Sequence, residues 1–477
     1  MILDTKLDAA ATDTTDTIVA ISTPPGRGGI GIVRLSGPAA RAIAEPLLKL
    51  RHPLAPAQAR FAELLDTTTH EILDEAIATY FQAPNSYTTE DIVEIAAHSS
   101  PVLLDYLLRQ CLAAGARLAE PGEFTQRAFL AGRLDLTQAE AVHDLIQSQT
   151  LHQARIAAQQ LGGAISRLIT PIKQDLIALI AALEAGIDFA EDDIDLLPTL
   201  AITTQISVIQ TPLITLEQSF NYGRIVRNGF TLAIVGRPNA GKSSLFNRLV
   251  QRDRAIVTAT PGTTRDLVTE RVSLDGIPLD LIDTAGIRTS TDQPASEAES
   301  LGIAKSREAM ADADVILLVI DTTQPPTAED SALLATLQSR PVIIVQNKSD
   351  LLPSEARQAQ IPHQTPYVSA LLPHPAIQTS ALTGTGIPEL RTAILAQVAT
   401  TPPSSETTLL TNLRQHQSVA TALAALVRAK QAAATETPHE MLLLDLYEAL
   451  SSLDALTGAT TSDDILNLIF SKFCIGK

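Results

Sequence analysis

Four runs of apolar and β-branched residues stand out along the chain: FTLAIV (230–235), LDLID (279–283), VILLVID (315–321) and VIIVQN (342–347). Continuous runs of this length predict parallel strands buried on both faces, so residues 229–398 are expected to form a doubly wound α/β sheet. Upstream, TIVAIS (17–22) reads as a strand, and the stretch from Ile30 to Leu35 alternates like a second one. Residues 38–135 mix helical and strand signals and predict a compact α+β unit. Thr137 and Glu140 form a capping box that opens a helix with Ala139, Val142, Leu145 and Ile146 on one face. Helical periodicity then continues to about residue 222, through LIALIAALEAGIDF. It returns beyond a PPSSET linker near 402–407, with Leu423, Leu426 and Val427 in one helix and Leu443, Leu446, Leu450 and Leu453 in the next. Gly458 stops that helix, and Ser462, Asp463 and Asp464 cap a last short one before FCIGK. Helical segments on both sides of an α/β unit imply an inserted domain whose flanks pack as one bundle. The expected fold is therefore multidomain, α+β and α/β. It has an N-terminal α+β domain (1–135), a helical domain in two parts (136–228 and 399–477), and an inserted domain (229–398) between them.

Composition changes this picture little. With 477 residues, 45% hydrophobic and 18% charged, the chain has the make-up of a globular protein of several domains. No apolar run approaches the roughly 18 residues of a membrane span, and the acidic opening MILDTKLDAAATDTTDT resembles neither a secretory signal nor a transit peptide. Two cysteines, Cys111 and Cys474, fit a reducing, cytoplasmic setting. A net charge of −18 argues against a broad electrostatic grip on nucleic acid and leaves room for a partner that carries it.

The chemistry is concentrated in the inserted domain. Residues 236–243 read GRPNAGKS, a G-x-x-x-x-G-K-S loop between a strand and a helix. Its glycines let successive N–H groups turn toward phosphates, Lys242 reaches the outer phosphates, and Ser243 supplies a hydroxyl to Mg²⁺. Asp283, Thr284, Ala285 and Gly286 follow one strand. There a carboxylate can hold Mg²⁺ through water, while the Gly286 N–H senses a γ-phosphate. Asn347, Lys348 and Asp350 end another strand. A carboxylate such as Asp350 accepts from both N–H groups on guanine's edge, a pair that adenine lacks. Ser380, Ala381 and Leu382 would close over the base. Thr264, within GTTRD (262–266), would complete the Mg²⁺ shell only while the γ-phosphate is present. Four motifs in order, each at a strand end, imply a GTPase. Ile287 stands where a water-orienting glutamine is common, so hydrolysis needs another group; Arg265 and Arg288 are the arginine candidates. The G-x-G-x-x-G of residues 26–31 leads into a strand rather than a helix, which argues against a dinucleotide site. Polar clusters at 85–91, Glu94 and 121–125 read on spacing alone as turns and caps, and Glu191, Asp192, Asp193 and Asp195 as a solvated run.

Taken together, TPPGRGGIGIVRLSG, PNSYTTEDIVE, PGEFTQRAFLAGRLDLTQAEAVHDLI, IDFAEDD, GRPNAGKSSLFN, AIVTATPGTTRD, DTAGIR and the terminal SDDILNLIFSKFCIGK resemble the MnmE (TrmE) family of tRNA-modification GTPases over nearly the whole chain. The resemblance implies GTPases activated by dimerisation and K⁺, with a Ras-like G domain. It extends the GTP-binding set to Asn239, Ala240, Gly241, Lys242, Ser243 and Ser244 and to Thr258, Ala259, Thr260, Pro261, Gly262, Thr263 and Thr264. K⁺ would lie on Asn239, Thr258, Thr260 and Thr263, in the space of an arginine finger. Counting back from Gly302 and Ile303, the water-positioning glutamate is Glu299, with Glu297 as rival; Lys242 and Arg265 complete the catalytic set. A 5-formyltetrahydrofolate-type carrier would contact Arg34, Glu94, Arg133 (where the family usually has lysine) and Lys477. Cys474 invites a nucleophile reading against that of a buried structural thiol or pocket wall. The implied assembly is a homodimer through the N-terminal domains and a heterotetramer with a FAD-dependent, MnmG-type partner. That assembly would install an aminomethyl-type group at the 5-position of the tRNA wobble uridine. The alternative is a GTPase switch for ribosome assembly, a class that usually ends in a basic RNA-binding module.

Overall fold

The structure is a computed structural model and describes residues 16–188, 197–250, 269–283, 313–324, 328–337, 340–352, 376–398, 408–435, 437–460 and 463–476. Two compact units emerge from the contacts, one of Met1–His143, Gln160–Ile169 and Leu453–Lys477, the other of Asp144–Gln159 and Thr170–Ser452.

The first unit is built on a seven-stranded sheet in the order β3-β4-β5-β6-β2-β1-β7. Its strands are β1 (Ile18–Ile21), β2 (Gly28–Ser36), β3 (Leu48–Leu50), β4 (Gln58–Leu65), β5 (Ile72–Phe81), β6 (Ile92–Ser99) and β7 (Arg117–Leu118). Pairing is antiparallel except between β1 and β7. Alternation on β1 sends Val19 into one apolar cluster with Val33, Leu35 and Leu107, and Ile18 and Ala20 into another with Ala119 and Phe124. Within β2, Gly31 serves packing: a Cβ there would lie 2.5 Å from Leu104 Cδ1, on the helix Pro101–Ala113. That residues 28–36 form a strand rather than a helix bears out the reading against a dinucleotide fingerprint.

The helix Leu136–Gln147 begins earlier than expected. Its capping box is Asp135 with Gln138: the Gln138 N–H donates to Asp135 Oδ1 (2.9 Å) and the Asp135 N–H to Gln138 Oε1 (3.0 Å). Thr137 is instead buried as the second residue of the helix, and Ile146 is exposed. Leu136 and Ala139 pack against Leu466, Phe470 and Phe473, so the last described helix, Asp463–Phe470, is tied to this unit. Gly122, with φ +71°, passes so close that a Cβ would meet the Phe470 carbonyl oxygen at 2.7 Å, and only glycine tolerates both conditions.

In the second unit, β8 (Phe230–Val235), β9 (Thr269–Leu274), β10 (Ile277–Asp283), β11 (Val315–Asp321), β12 (Val342–Asn347) and β13 (Ala376–Gln378) form a sheet in the order β13-β12-β11-β8-β10-β9. All pairs are parallel except β9 with β10. Both faces are dry, as the apolar runs predicted: Leu232, Ile234, Leu317, Val319, Ile343 and Val345 fill one core, while Ala233, Val235, Ile316, Leu318 and Ile344 fill the other. The hairpin β9–β10, which the apolar pattern does not signal, turns at Asp275 (φ +51°) and Gly276 (φ +86°), the Asp-Gly pair favoured by a type I′ turn.

The two flanks of this sheet do meet. Helix Thr199–Gln218 packs on helix Leu413–Ala434, Phe220 stacks on His416 at 4.1 Å, and the Leu410 N–H donates to Ser219 Oγ at 3.0 Å. The buried stripes differ from expectation by one residue. Ala422, Ala425 and Leu426 are buried while Val427 is exposed, and in helix His439–Thr457 the buried positions are Leu442, Leu446, Ala449, Leu453 and Leu456. Close helix approach favours alanine, a residue that a search for large apolar side chains overlooks. Gly458 (φ +87°) ends that helix as expected. One helical stretch, Thr199–Asn228, is long and apolar enough to cross a membrane by length and composition, contrary to the reading of the runs. Its many Ile and Leu residues keep the mean hydropathy up, and Ile202, Ile206, Ile209, Leu213 and Leu216 form its buried face.

Candidate nucleotide site and N-terminal cluster

The loop after β8 is shaped by backbone that few residues accept. Gly236 (φ +147°), Asn239 (φ +64°) and Gly241 (φ +92°) lie at positive φ. A Cβ on Gly236 would strike the Val319 carbonyl, and one on Gly241 the Asn347 side-chain amide. Helix Lys242–Val250 starts directly after it, with the Leu245 N–H donating to Gly241 O at 2.9 Å. Lys242 Nζ donates to the carbonyls of Gly236 and Arg237, each at 2.8 Å, so the ammonium is held across the loop. Ser243 and Ser244 lie on the first helical turn, where unpaired N–H groups and the helix dipole favour an anion. The Arg237 side chain pairs with Asp330 at 2.9 Å.

Beside the loop, Asn347 acts as a strut. It is 1% exposed, its amide Nδ2 donates to Ala240 O (3.0 Å), and its Oδ1 accepts from the Ala381 N–H (3.1 Å). One buried side chain thus ties the phosphate loop to the segment of Ser380, Ala381 and Leu382. Ser380 Oγ donates to Asp350 Oδ1 at 2.6 Å and accepts from the Thr383 N–H at 3.1 Å, which orients the carboxylate. Lys348, itself at φ +66°, reaches Asp321 at 2.6 Å. Burial alone would raise the Asp321 carboxyl, but Lys348 and the Thr323 hydrogen bonds hold it below the usual range. Gly241, Ser244, Asn347, Lys348, Asp350 and Leu382 are among the residues lining a cavity of about 460 Å³. Asp283 ends β10 opposite Ile234, the residue two before Gly236, which places the strand end next to the loop. Thr258 to Thr264, Arg265, Thr284 to Gly286, Ile287, Arg288, Glu297, Glu299 and the acidic run 191–195 lie outside the described residues, as does Lys477.

In the first unit, Arg34 and Glu94 are cross-strand partners of β2 and β6, paired at 2.8 Å. Arg34 also lies 5.6 Å over the Phe124 ring and donates to Gly476 O at 3.4 Å. Arg133 lies 5.0 Å over the Tyr87 ring and donates to Tyr87 O at 2.8 Å. Tyr87 packs with Phe124 and bonds Thr125 at 3.0 Å; burial pushes its phenol up, and the charges of Arg133 and Arg34 act against that rise. Three of the four expected residues, Arg34, Glu94 and Arg133, are thus gathered around Tyr87 and Phe124. Cys474 is exposed, which removes the buried-thiol reading; burial belongs to Cys111, whose thiol is pushed up to about 12.

Sequence reasoning missed the support beneath this cluster. Arg127, 5% exposed, pairs with Asp16 (2.7 Å), Glu90 (3.0 Å) and Glu123 (2.9 Å), and Arg117 pairs with Asp16 and Glu123. Ser36 Oγ donates to Glu90 Oε2 at 2.7 Å. The clusters at 85–91 and 121–125 are therefore joined by an ion-pair network, beyond their turns. No spacing rule signals this, because the partners come from separate elements.

A sheet of this order, parallel but for β9, a phosphate loop after its central strand β8, and an Asn-Lys-x-Asp segment beside it define a P-loop GTPase. Two family descriptions match the chain: "MnmE helical domain" over residues 136–474 and "GTP-binding protein TrmE N-terminus" over residues 17–133. A "tRNA modification GTPase MnmE" of Koribacter versatilis is 57% identical over 467 residues, 97% of this chain and 99% of the relative. Proteins with the same name from Heliobacterium modesticaldum and Levilactobacillus brevis are 41% and 40% identical, covering 97% and 98% of this chain and 99% and 100% of their own lengths. The chain belongs to the MnmE family, and it is a GTP hydrolase.

Proposed function

We propose that this chain couples GTP hydrolysis to modification of tRNA, installing a carboxymethylaminomethyl or aminomethyl group at the 5-position of the wobble uridine with a one-carbon folate. The supporting observation is the full-length similarity to proteins named tRNA modification GTPases, joined to the Arg34–Glu94–Arg133 cluster. That cluster suits a flat ligand with polar edges and a carboxylate tail: guanidinium groups for carboxylates, Glu94 for an amino edge, and the Tyr87 and Phe124 rings for packing. The working division keeps an N-terminal folate-binding and dimerisation domain, a two-part helical domain and the G domain at 229–398. The chain would act as a homodimer and as a heterotetramer with a FAD-dependent, MnmG-type partner that holds most of the tRNA, in keeping with the charge of −18.

In the G domain, Lys242 and the N–H groups of the loop 239–244 would bind the β- and γ-phosphates, with Ser243 and Thr264 supplying hydroxyl oxygens to Mg²⁺. Both are hard oxygen donors of the kind that ion prefers. Asn239, exposed at its positive-φ turn, would offer its amide oxygen to K⁺ together with Thr258, Thr260 and Thr263. These cations supply charge neutralisation at the phosphates. Asp283, Thr284, Ala285 and Gly286 would report the γ-phosphate. Glu299 would orient the attacking water, with Glu297 as the rival and Arg265 close in sequence to the phosphates.

Asp350 would read guanine. Asp350→Asn replaces an acceptor by a donor and forfeits two charge-assisted hydrogen bonds of about 1.5–3 kcal/mol each. Its kcat/KM for GTP should fall by about 10²–10⁴-fold. Xanthosine triphosphate, whose 2-oxo group accepts from the new amide, should recover part of the loss. A variant that still prefers GTP would move base recognition elsewhere.

The tRNA assignment is tested by mass spectrometry of tRNA from a strain lacking this chain. The wobble-uridine 5-substituent should disappear and return on complementation. If the deletion strain keeps it, the assignment fails and the ribosome-assembly switch becomes the reading to pursue.

A further inference from the structure

The hairpin β9–β10 occupies a particular place in the sequence. Its first strand follows the segment Thr258 to Thr264, and its second ends at Asp283, immediately before Thr284 to Gly286. The two strands pair in unbroken register from Leu274–Ile277 to Thr269–Ile282, so a shift of the turn is carried along both strands toward both segments.

The turn does not stand free. Thr150 Oγ1 donates to the Gly276 carbonyl at 2.6 Å, and a Cβ on Gly276 would lie 2.7 Å from His152 Cβ. From the other side, Arg391 of helix Ile387–Val398 reaches Asp275 at 3.3 Å. Thr150 caps helix Leu151–Leu161 at the same time: its hydroxyl accepts from the Gln153 N–H (3.1 Å), and its own N–H donates to Gln153 Oε1 (3.1 Å). One hydroxyl therefore faces two ways, accepting for the helix and donating to the hairpin.

Gln153 extends the connection. It is 9% exposed and its amide is fully used: Oε1 accepts from the N–H groups of Gln149 and Thr150, and Nε2 donates to the carbonyls of Val226 and Arg227 at 2.9 Å each. Those carbonyls lie in the last turn of helix Phe220–Asn228, which leads into β8, and a helix end leaves such groups without intrahelical donors. Arg227 pairs with Asp144 at 2.6 Å, and Ile156 packs against the apolar cluster of Leu279, Leu281 and Leu232. The start of helix Leu151–Leu161 is thus bonded to the turn of the hairpin and to the helix that feeds the phosphate-loop strand.

We propose that Thr150, acting through the Gly276 carbonyl and the β9–β10 hairpin, is a positioning residue for GTP hydrolysis and links the nucleotide state of the G domain to helix Leu151–Leu161. The inference rests on the assignment of the segments flanking the hairpin to the nucleotide, made above. Thr150 touches neither substrate nor the phosphate loop. Its effect is on where the hairpin holds the ends of its strands, so it should appear in turnover rather than in nucleotide affinity.

Three substitutions in the full chain separate this role from helix capping. Thr150→Ser keeps both bonds, Thr150→Asp keeps the cap acceptor but cannot donate to the Gly276 carbonyl when ionised, and Thr150→Val loses both. The expected result is wild-type kcat for Thr150→Ser and a drop of about 5–30-fold for Thr150→Asp and Thr150→Val, the loss of one hydrogen bond of about 1–2 kcal/mol. The dissociation constant of a fluorescent GDP analogue should stay within about twofold of wild type in all three. Amide exchange at residues 272–279 should rise in Thr150→Asp and Thr150→Val and not in Thr150→Ser. Unchanged kcat in Thr150→Asp overturns the proposal, as does a loss of GDP-analogue binding in parallel with kcat. If the wild-type chain itself fails to bind the GDP analogue, the site assignment fails instead, and the two failures are told apart by that control.

Discussion

Lys242→Met should lower GTP turnover at saturating nucleotide by about 10²–10³-fold, the usual consequence of removing one preorganised charge from a phosphoryl-transfer site. The side chain already lies along the loop, its ammonium bridging the carbonyls of Gly236 and Arg237. A γ-phosphate would draw it a short way from those carbonyls with little ordering left to do. Methionine keeps the length and apolar contacts of the stem, so the sheet should retain its thermal stability. Phosphate release under single-turnover conditions, with calorimetric unfolding alongside, tests this. Turnover within a few fold of wild type would remove Lys242 from the catalytic set.

Arg127→Met should be the most damaging change in the N-terminal unit. The guanidinium is 5% exposed and pairs with Asp16, Glu90 and Glu123 together, so its loss strips Glu90 of its cation and leaves Asp16 and Glu123 with Arg117 alone. Breaking a buried ion pair from one side costs about 3–5 kcal/mol. The expected result is an N-terminal unfolding transition at markedly lower denaturant, with the G domain transition unmoved. The pH dependence has a definite sign. Burial alone would raise Asp16 and Glu123, but hydrogen bonds from Arg117 and Arg127 outweigh it and hold both carboxyls below their ordinary values of 3.8 and 4.5. A carboxyl depressed in the folded state stabilises above its unfolded pKa, and the contribution is lost as pH falls through the folded value. The wild type should therefore lose its advantage over Arg127→Met below about pH 4 and keep it in full above about pH 5. An advantage that is independent of pH down to about 3 would show that the network contributes packing rather than charge.

How far the sequence could be read follows from where each signal resides. The strands β8, β10, β11 and β12 were legible because burial on both faces forces an uninterrupted apolar run, a pattern that few local structures share. β9 was not, since it carries Arg271 paired to Asp280 at 2.5 Å on the sheet edge, and charged edge strands read as loops. Its marker was the Asp275–Gly276 dipeptide, a hairpin signal that a search for apolar runs passes over. The capping box was displaced by two residues because Asp135 and Gln138 satisfy the rule as well as Thr137 and Glu140 do, and only packing of Thr137 decides between them. In the nucleotide site, residue types and order placed the loop 236–243, Asn347, Asp350 and Ser380 to Leu382 after strands β8, β12 and β13, while the segments 258–265 and 284–299 lie outside the described residues. The N-terminal cluster was placed by family resemblance alone. Register puts Arg34 opposite Glu94, but the convergence of Tyr87, Phe124, Arg133 and Gly476 depends on chain separated by tens to hundreds of residues. The Arg127 network is of the same kind.

Ser219 and Leu410 are 191 positions apart and yet joined at 3.0 Å, and Gly223 lacks the side chain that would strike the Leu410 carbonyl. The chain thus leaves its helical host for the nucleotide-binding module and returns to it at neighbouring points. Closing such a gap with a short flexible linker costs little entropy, and the cost grows only slowly with the length enclosed. The host helices Thr199–Gln218 and Leu413–Ala434 already face each other there. The arrangement is that of a graft with one graft line and one stay: entry and exit share a place in the frame, and the Thr150–Gly276 bond fastens the module a second time.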